Sequence, residues 1–494
     1  MKIYNYKILT LIIGLALSFN ACNLELEPAD AISFDKMFSD EEGARAATLG
    51  NYSYLKDPYY IKYLMQMGEF PGDNVSLSGT TTDHLFYAYN YQHFPGMGNT
   101  TGFWRKSYQT IYGANQVIEN IENGVSDELD QLKGENYFIR AMVHFDLVRL
   151  FGRPYAQDGG ASLGVMIKDN TDVEDIPGRS TVKEVYDFVE GDLLRAVDLM
   201  GSSKSNAYAS KEVAYALLAR LYLYKEDNAK AIEYADKVIN SGRYELVSTS
   251  NLPGYYRLDP EENSETIFAI KHIAVDDREW GSIGSMYYHG DGAGWGEMYA
   301  SQTIRELLIP EDQRNSFIEP QYQYDEDDNI IVDDEGNPVL YERGGYPKYY
   351  INKFSYQDDI VTLSSPVILR LAEMYLTRAE ANAKLGNDQE AIDDVNLIRE
   401  RAGLTGANLY TVGDLKGHAS VLDVVLEERR MELMFEAHRP FDVYRNNRTM
   451  NRDYPGTHLN GDGLKSISPD HPRVIYFIPE EEIGLNDKMK QNPT

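Results

Sequence analysis

One stretch of this chain repeats another. Tyr215, Ala219, Tyr222, Ala231, Ala235 and Val238 recur at a constant offset as Tyr375, Ala379, Asn382, Ala391, Val395 and Ile398. Within each copy the spacing is that of two helices joined by a short polar turn. The later turn reads Leu385-Gly386-Asn387-Asp388-Gln389-Glu390-Ala391-Ile392. Small residues stand where antiparallel helices touch, and large ones fill the neighbouring gaps. Asn382 replaces the aromatic of the first copy, so the second is imperfect. A unit of this kind cannot bury its apolar face alone and must stack on neighbours. The chain is thereby committed to a helical scaffold.

The unit is tetratricopeptide-like, and further helical patterns extend it. Glu41 to Leu55 reads as a helix behind Ser39 or Asp40 as N-cap. Trp104, Tyr108, Ile111, Asn115, Ile118 and Ile121 follow helical spacing, which makes Trp104 a core residue. Another helix runs from Glu135 to Phe151 and is stopped by Gly152 and Pro154; one more opens at Thr181 and ends near Gly201. Between the repeats the composition shifts to Gly, Tyr, Asp and Pro. The expected fold is mainly α, with scaffold at about 41–56, 101–245 and 365–445. An irregular, loop-rich lobe with few short strands occupies about 66–102 and 248–363. Within it, Ser301 to Leu308 is helical, and Asn329 to Leu340 forms a hairpin turning at Gly336-Asn337.

The N-terminus sets the compartment. Lys2 and Lys7 precede a short apolar run from Ile8 to Leu17, too short for a membrane span of about 20 residues but right for a secretory signal. Ser18-Phe19-Asn20-Ala21 then leads to Cys22, the single cysteine of the chain. A lone thiol there reads as the acceptor of a lipoprotein anchor. The expected organisation is a signal peptide over 1–21, a lipidated tether over 22–40 and one domain over 41–494. With Cys22 consumed, no disulfide is available and stability must come from packing.

The formal net charge of −31 repels nucleic acid, a polyanion, and suits a neutral ligand. No Walker loop, dinucleotide fingerprint or nucleophile elbow is present. The nine His lack zinc spacing, and the acidic runs Asp325–Asp328 and Asp333–Gly336 do not follow an EF-hand loop. Neither a cofactor nor a metal is implied, and a catalytic site is not expected.

The most distinctive segment is Glu427-Glu428-Arg429-Arg430-Met431-Glu432-Leu433-Met434-Phe435-Glu436-Ala437-His438-Arg439-Pro440-Phe441-Asp442-Val443-Tyr444-Arg445. On a helix Arg429 neighbours Glu432, and Glu436 neighbours Arg439, beside an apolar stripe of Leu422, Leu426 and Leu433. Half-buried charges need partners, so the segment reads as a paired network that docks the last helix. It resembles the signature of the SusD/RagB family of outer-membrane nutrient-binding lipoproteins, with Ala437 where the family has Gly and Val443 where it has Leu. Arg140–Gly152, Asp312-x-Arg314, Lys353-Phe354, Leu369–Ala381 and Phe477–Asn486 followed by Gln491-Asn492-Pro493 match in family order. The resemblance implies a non-catalytic, tetratricopeptide-like surface lipoprotein of the outer membrane. It also implies a partner, a SusC-like TonB-dependent transporter that the lipoprotein caps, and an oligosaccharide or glycan ligand. A peptide is the alternative on the RagB side. Outside the family, a glycoside hydrolase would need two carboxyls facing each other across a cleft, and a pure helical scaffold would have no aromatic-lined site.

A sugar site needs an aromatic face for the ring plus polar groups for its hydroxyls. Two irregular stretches supply both. One holds Asp73, Asn74, Tyr87, Tyr89, Tyr91 and His93; the other holds Trp280, Tyr287, Tyr288, His289, Asp291 and Trp295. They correspond roughly to glycan-contacting loops of the family, and the two loops are expected to face one another. The competing reading is that each aromatic packs its loop onto the helices.

Overall fold

A computed structural model describes residues 37–494 except 39, 79–83, 202–203, 290–292, 460–463 and 494. The signal-like segment, Cys22, Ser39 and Asp291 lie outside the described residues. The first part of the fold is helical: α1 (Glu41–Leu55), α2 (Ile61–Glu69), β1 (Val75–Leu77), α3 (His84–Tyr89), α4 (Gly98–Asn120), α5 (Asp127–Phe151), α6 (Val182–Leu199), α7 (Lys211–Tyr224) and α8 (Asn228–Ile239). The lobe carries β2 (Thr266–Ala269), β3 (Met298–Ala300), α9 (Gln302–Leu307), β4 (Ile318–Pro320), β5 (Glu342–Arg343), β6 (Tyr346–Pro347), β7 (Tyr349–Ile351) and β8 (Val367–Arg370). The scaffold resumes with α10 (Leu371–Leu385), α11 (Asp388–Arg401), α12 (Val421–Glu432) and α13 (Arg439–Arg445).

Local chemistry sets the helix ends. The Asp40 side chain accepts from the Gly43 N–H at 2.8 Å to open α1. Thr181 and Glu184 form a reciprocal capping box on α6, satisfying N–H groups that the helix leaves unpaired. Packing then runs from neighbour to neighbour: α5 on α4 and α6, α7 on α6 and α8, α8 on α10, α10 on α11 and α12. The two copies of the repeat are α7–α8 and α10–α11, and they lie against each other. Ala219, Ala231, Ala235 and Val238 are fully buried, as are their counterparts Ala379, Ala391, Val395 and Ile398. Arg378 on α10 ties the copies together, donating to Asp236 on α8 at 2.6 Å and to Asp394 on α11 at 2.8 Å. In the first copy the Tyr222 ring stacks on Tyr234 with centroids 5.3 Å apart. Asn382 in the same place instead accepts from the Asn387 side chain at 3.0 Å, tightening a turn in which Gly386 takes φ +82°. The fold is mainly α and tetratricopeptide-like, with strands of four residues or fewer.

The signature segment departs from the helical reading. It is two helices, α12 and α13, broken between them, with Phe435 at φ +69° and Ala437 at φ +60°. The break separates Glu436 from Arg439, and partners on other elements claim the charges on α12 as well. Arg429 donates to Asp442 at 2.8 Å rather than pairing with Glu432. Glu432 instead accepts from Arg370 and Arg401, and Glu436 from Arg370 at 2.9 Å and Lys353 at 2.8 Å. Arg314 bridges Asp312 and Glu428. These charges are buried, and they join the lobe and β8 to α11, α12 and α13 in one ionic seam.

The lobe is held by two-stranded antiparallel ladders, β1–β3, β2–β8, β4–β7 and β5–β6. The expected hairpin around Gly336 is present, with a Val332–Pro338 bridge; another precedes it with a Tyr324–Ile330 bridge.

Candidate functional site

The two candidate loops are joined by backbone. In the β1–β3 ladder Val75 stands opposite Ala300 and Leu77 opposite Met298. The ladder is extended by Ser78 N–H to Glu297 C=O and by Ser301 N–H to Asn74 C=O, both 2.9 Å. Beneath it the Phe70 ring meets Tyr287 edge to face, with centroids 5.8 Å apart.

Most candidates of the first loop point inward. Asp73 is clamped by Arg439 at 2.7 and 2.9 Å, and Asn74 accepts from Arg430 at 2.9 Å. Burial pushes the Asp73 carboxyl up, but Arg430 and Arg439 outweigh it and hold the group at about 2. Tyr89 and Tyr91 are buried against Arg452, whose guanidinium lies 4.4 and 5.5 Å from their ring centroids. The Tyr91 hydroxyl donates to the Pro71 carbonyl at 2.6 Å. His93 lies against Tyr476 at 4.6 Å, and burial pushes its ring down to about 4, so it is neutral. These five side chains fasten the loop to α12, α13 and the C-terminal segment. Tyr87 differs: it is half-buried and meets the exposed Phe94 edge to face at 5.5 Å.

The second loop separates into an anchor and a surface. Tyr287 is buried and stacks on Phe354 at 5.7 Å; Tyr288 is buried and donates to Glu319 at 3.2 Å. Trp280 and Trp295 are 42% and 49% exposed, and their rings stand at 72° with centroids 5.0 Å apart. His289 lies 6.2 Å from Trp280. A 3-10 turn (Glu279–Gly281) presents Trp280 and is pinned by Asp277, which accepts from Ser282 at 3.0 Å and Thr362 at 2.9 Å. Trp295 sits between two glycines that only a missing side chain permits. Gly294 has φ +88°, and a Cβ there would stand 2.3 Å from the Tyr288 carbonyl; one on Gly296 would stand 2.9 Å from the Tyr350 ring. Backbone bonds from Trp295 and Gly296 to the Ser285 carbonyl, at 2.5 and 2.9 Å, hold the loop down.

The arrangement offers two large aromatic surfaces that meet at an angle, next to an exposed imidazole. Such rings lose little rotamer freedom on binding and accept the apolar face of a ligand. Three neighbouring carboxylates accept from protein donors: Asp277 as above, Glu319 from Tyr288, and Glu297 from Arg343 at 2.7 Å; Glu279, beside Trp280, is exposed. Among the described residues no group of three or more His, Cys, Asp or Glu is placed to hold a metal ion. Sequence reasoning missed Arg343, which also donates to the Trp295 carbonyl at 3.1 Å. It ends β5 beside Gly344-Gly345, remote in sequence, and no local pattern marks it. Phe94 was missed as well, although it is an aromatic two residues beyond Gln92 in the first loop.

Residues 264–494 match the family model described as the SusD family, and residues 40–223 match one described as starch-binding and associating with the outer membrane. A SusD superfamily protein of Bacteroides vulgatus is 30% identical, with a TM-score of 0.77 over 92% of this chain and 98% of that one. The chain belongs to the SusD family. A SusD superfamily structure from Bacteroides thetaiotaomicron superposes with a TM-score of 0.80 at 28% identity, covering 92% of this chain and all of that one. Among curated relatives, a SusD-like protein of Formosa agariphila is 26% identical over 100% of this chain and 99% of its own length. The starch-binding protein SusD of Bacteroides thetaiotaomicron is 24% identical, over 76% of this chain and 75% of its own. This SusD-family chain therefore shares its scaffold across nearly its full described length.

Proposed function

We propose that this SusD-family protein binds glycans at the cell surface, on the exposed Trp280–Trp295 pair, without cleaving them. The pair carries the reading: two rings 5.0 Å apart stand in solvent on a loop held by glycines and backbone bonds. Family membership supports it, because one matching model is described as starch-binding and one relative as a starch-binding protein. The net charge of −31 favours a neutral saccharide. In this reading the mature protein is one domain, lipid-anchored to the outer membrane through Cys22 and facing outward, and it delivers oligosaccharides to a SusC-like TonB-dependent transporter. Affinity for a single chain is micromolar or weaker, since the glycan loses torsional freedom on binding, and multivalent contact with polymer offsets this.

A glycan and peptide array probed with the Cys22→Ala protein tests the ligand class. Saccharide binding lost on substituting both tryptophans supports the proposal; peptide binding, or saccharide binding indifferent to them, overturns it. In membrane fractions, Cys22→Ala releases the protein, and retention after a high-salt wash overturns the anchor.

A further inference from the structure

Two consecutive arginines on α12 face different surroundings, because successive residues on a helix are rotated by about 100°. Arg429 is sealed in the ionic seam, whereas the Arg430 side chain keeps 11% of its surface exposed. Arg439, the first residue of α13, approaches from the other side of the helix break. Both Arg430 and Arg439 reach the same carboxylate. Arg439 clamps Asp73 through Nε and Nη2 at 2.7 and 2.9 Å, and Nη2 of Arg430 stands 3.4 Å from it. Arg430 is aimed by further bonds, from Nε to Asn74 at 2.9 Å and from Nη2 to Thr303 at 2.8 Å. That leaves Nη1 of each guanidinium. Neither makes a hydrogen bond among the described residues, and neither is shut away from solvent.

Two cations therefore share one anion, an exception in a chain of net charge −31. Burial pushes the Arg430 guanidinium down to about 10, and Asp73 does not make up the difference. Both arginines line a cleft of about 490 Å³ that is bounded by residues between 417 and 449 and so lies apart from the tryptophan loop. Its walls also carry Arg448, 41% exposed and paired with Asp423 at 2.6 Å, and His418, 3.2 Å from Glu427. The remaining acid, Asp442, is taken by Arg429 and Arg445 at 2.8 and 2.7 Å. The cleft thus presents spare guanidinium donors, and its carboxylates are matched by partners of their own.

We propose that this cleft is a second binding site, specific for an oxyanion, which the Nη1 groups of Arg430 and Arg439 hold with Arg448 nearby. The ligand chemistry is that of carboxylate, sulfate or phosphate oxygens, which planar guanidinium groups bind through charge-assisted hydrogen bonds. The inference does not rest on the glycan reading. A bound oxyanion supplies the missing negative charge and links α12 to α13, so it stabilises the fold. Titration of the full chain with sulfate, phosphate and acetate, each against chloride at matched ionic strength, tests the site by calorimetry and thermal melting. At least one of the three binds one to one and raises the melting temperature above the chloride value. A preference for sulfate or phosphate assigns the site to tetrahedral esters, and a preference for acetate assigns it to carboxylates. Arg439→Lys keeps a cation beside Asp73 but has no spare Nη1, and it lowers affinity on the order of tenfold with little change in the unliganded melting temperature. Glu427→Gln removes a negative charge from the cleft wall and raises affinity about threefold, and it decides alone if Arg439→Lys fails to fold. The site is overturned if none of the three ions does more than chloride, or if Glu427→Gln leaves affinity unchanged or lowers it. Equal weakening in Arg105→Ala, an exposed arginine outside the cleft paired with Glu481, overturns it as well.

Discussion

The ionic seam around α12 and α13 and the tryptophan platform of the lobe are both built from residues common in binding sites, and they behave in opposite ways. In the seam Glu432, Glu436, Arg314, Arg370 and Arg429 are almost wholly buried, and each charge has a partner. Burial pushes the Glu432 carboxyl up, yet Arg401, Arg370 and Arg314 outweigh it and hold it well below the usual carboxylate range. On the platform Trp280 and Trp295 are about half exposed. Buried charges with partners are expensive to break and have no capacity left for a ligand. Exposed rings on a fixed loop contribute little to the fold and keep that capacity. Residue type alone does not make a site; spare surface does.

The sharpest test of this contrast is Arg370→Ala. It deprives Glu265, Glu432 and Glu436 of a shared partner and should cost about 3–5 kcal/mol or more in urea unfolding. A loss under about 1 kcal/mol would mean that the seam is solvated and the contrast false. On the platform, Trp280→Ala or Trp295→Ala should cost about 1–3 kcal/mol of glycan binding in calorimetry and leave the melting temperature unchanged. A large drop in stability would move the ring into the structural class. Asp73 sharpens the contrast from the acid side. Its folded pKa, about 2, lies below the ordinary 3.8, so its contribution is present above pH 3.8 and is lost as pH falls toward 2. The contribution is roughly 2 kcal/mol, and Asp73→Asn should flatten the stability curve over that window. An unchanged acid limb in the variant would show that Asp73 is not clamped. The smallest effect belongs to Ala437, which holds φ +60° where the family has glycine. Ala437→Gly should relieve about 1 kcal/mol of backbone strain and raise the melting temperature slightly. A fall would show that the methyl group, packed close to Gly68, contributes more than the strain costs.

The seam and the platform were legible to different degrees. The signature charges were recognisable in sequence as a paired network, but the pairs were misassigned: positive φ at Phe435 and Ala437 separates Glu436 from Arg439, while Arg429 and Glu432, both on α12, are claimed by Asp442 and by Arg370 and Arg401 from other elements. The loops were recognisable as aromatic, but the first is not irregular throughout: Tyr87 and Tyr89 stand on the short helix α3. Their sequence did not distinguish Trp295, in solvent, from Tyr287, stacked on Phe354 beneath it. Both are aromatic residues in one Gly-rich stretch, and exposure depends on what packs from elsewhere.

By itself the sequence determined the helical scaffold, its repeated hairpin and its family, because helix periodicity, caps and small-residue contacts are local and recur at fixed spacings. The joining of residues 75–77 to 298–300 and the reach of Arg343 to Trp295 were decided only by the tertiary structure. Those contacts link segments far apart in the chain, and their register depends on packing rather than on any periodic pattern of side chains.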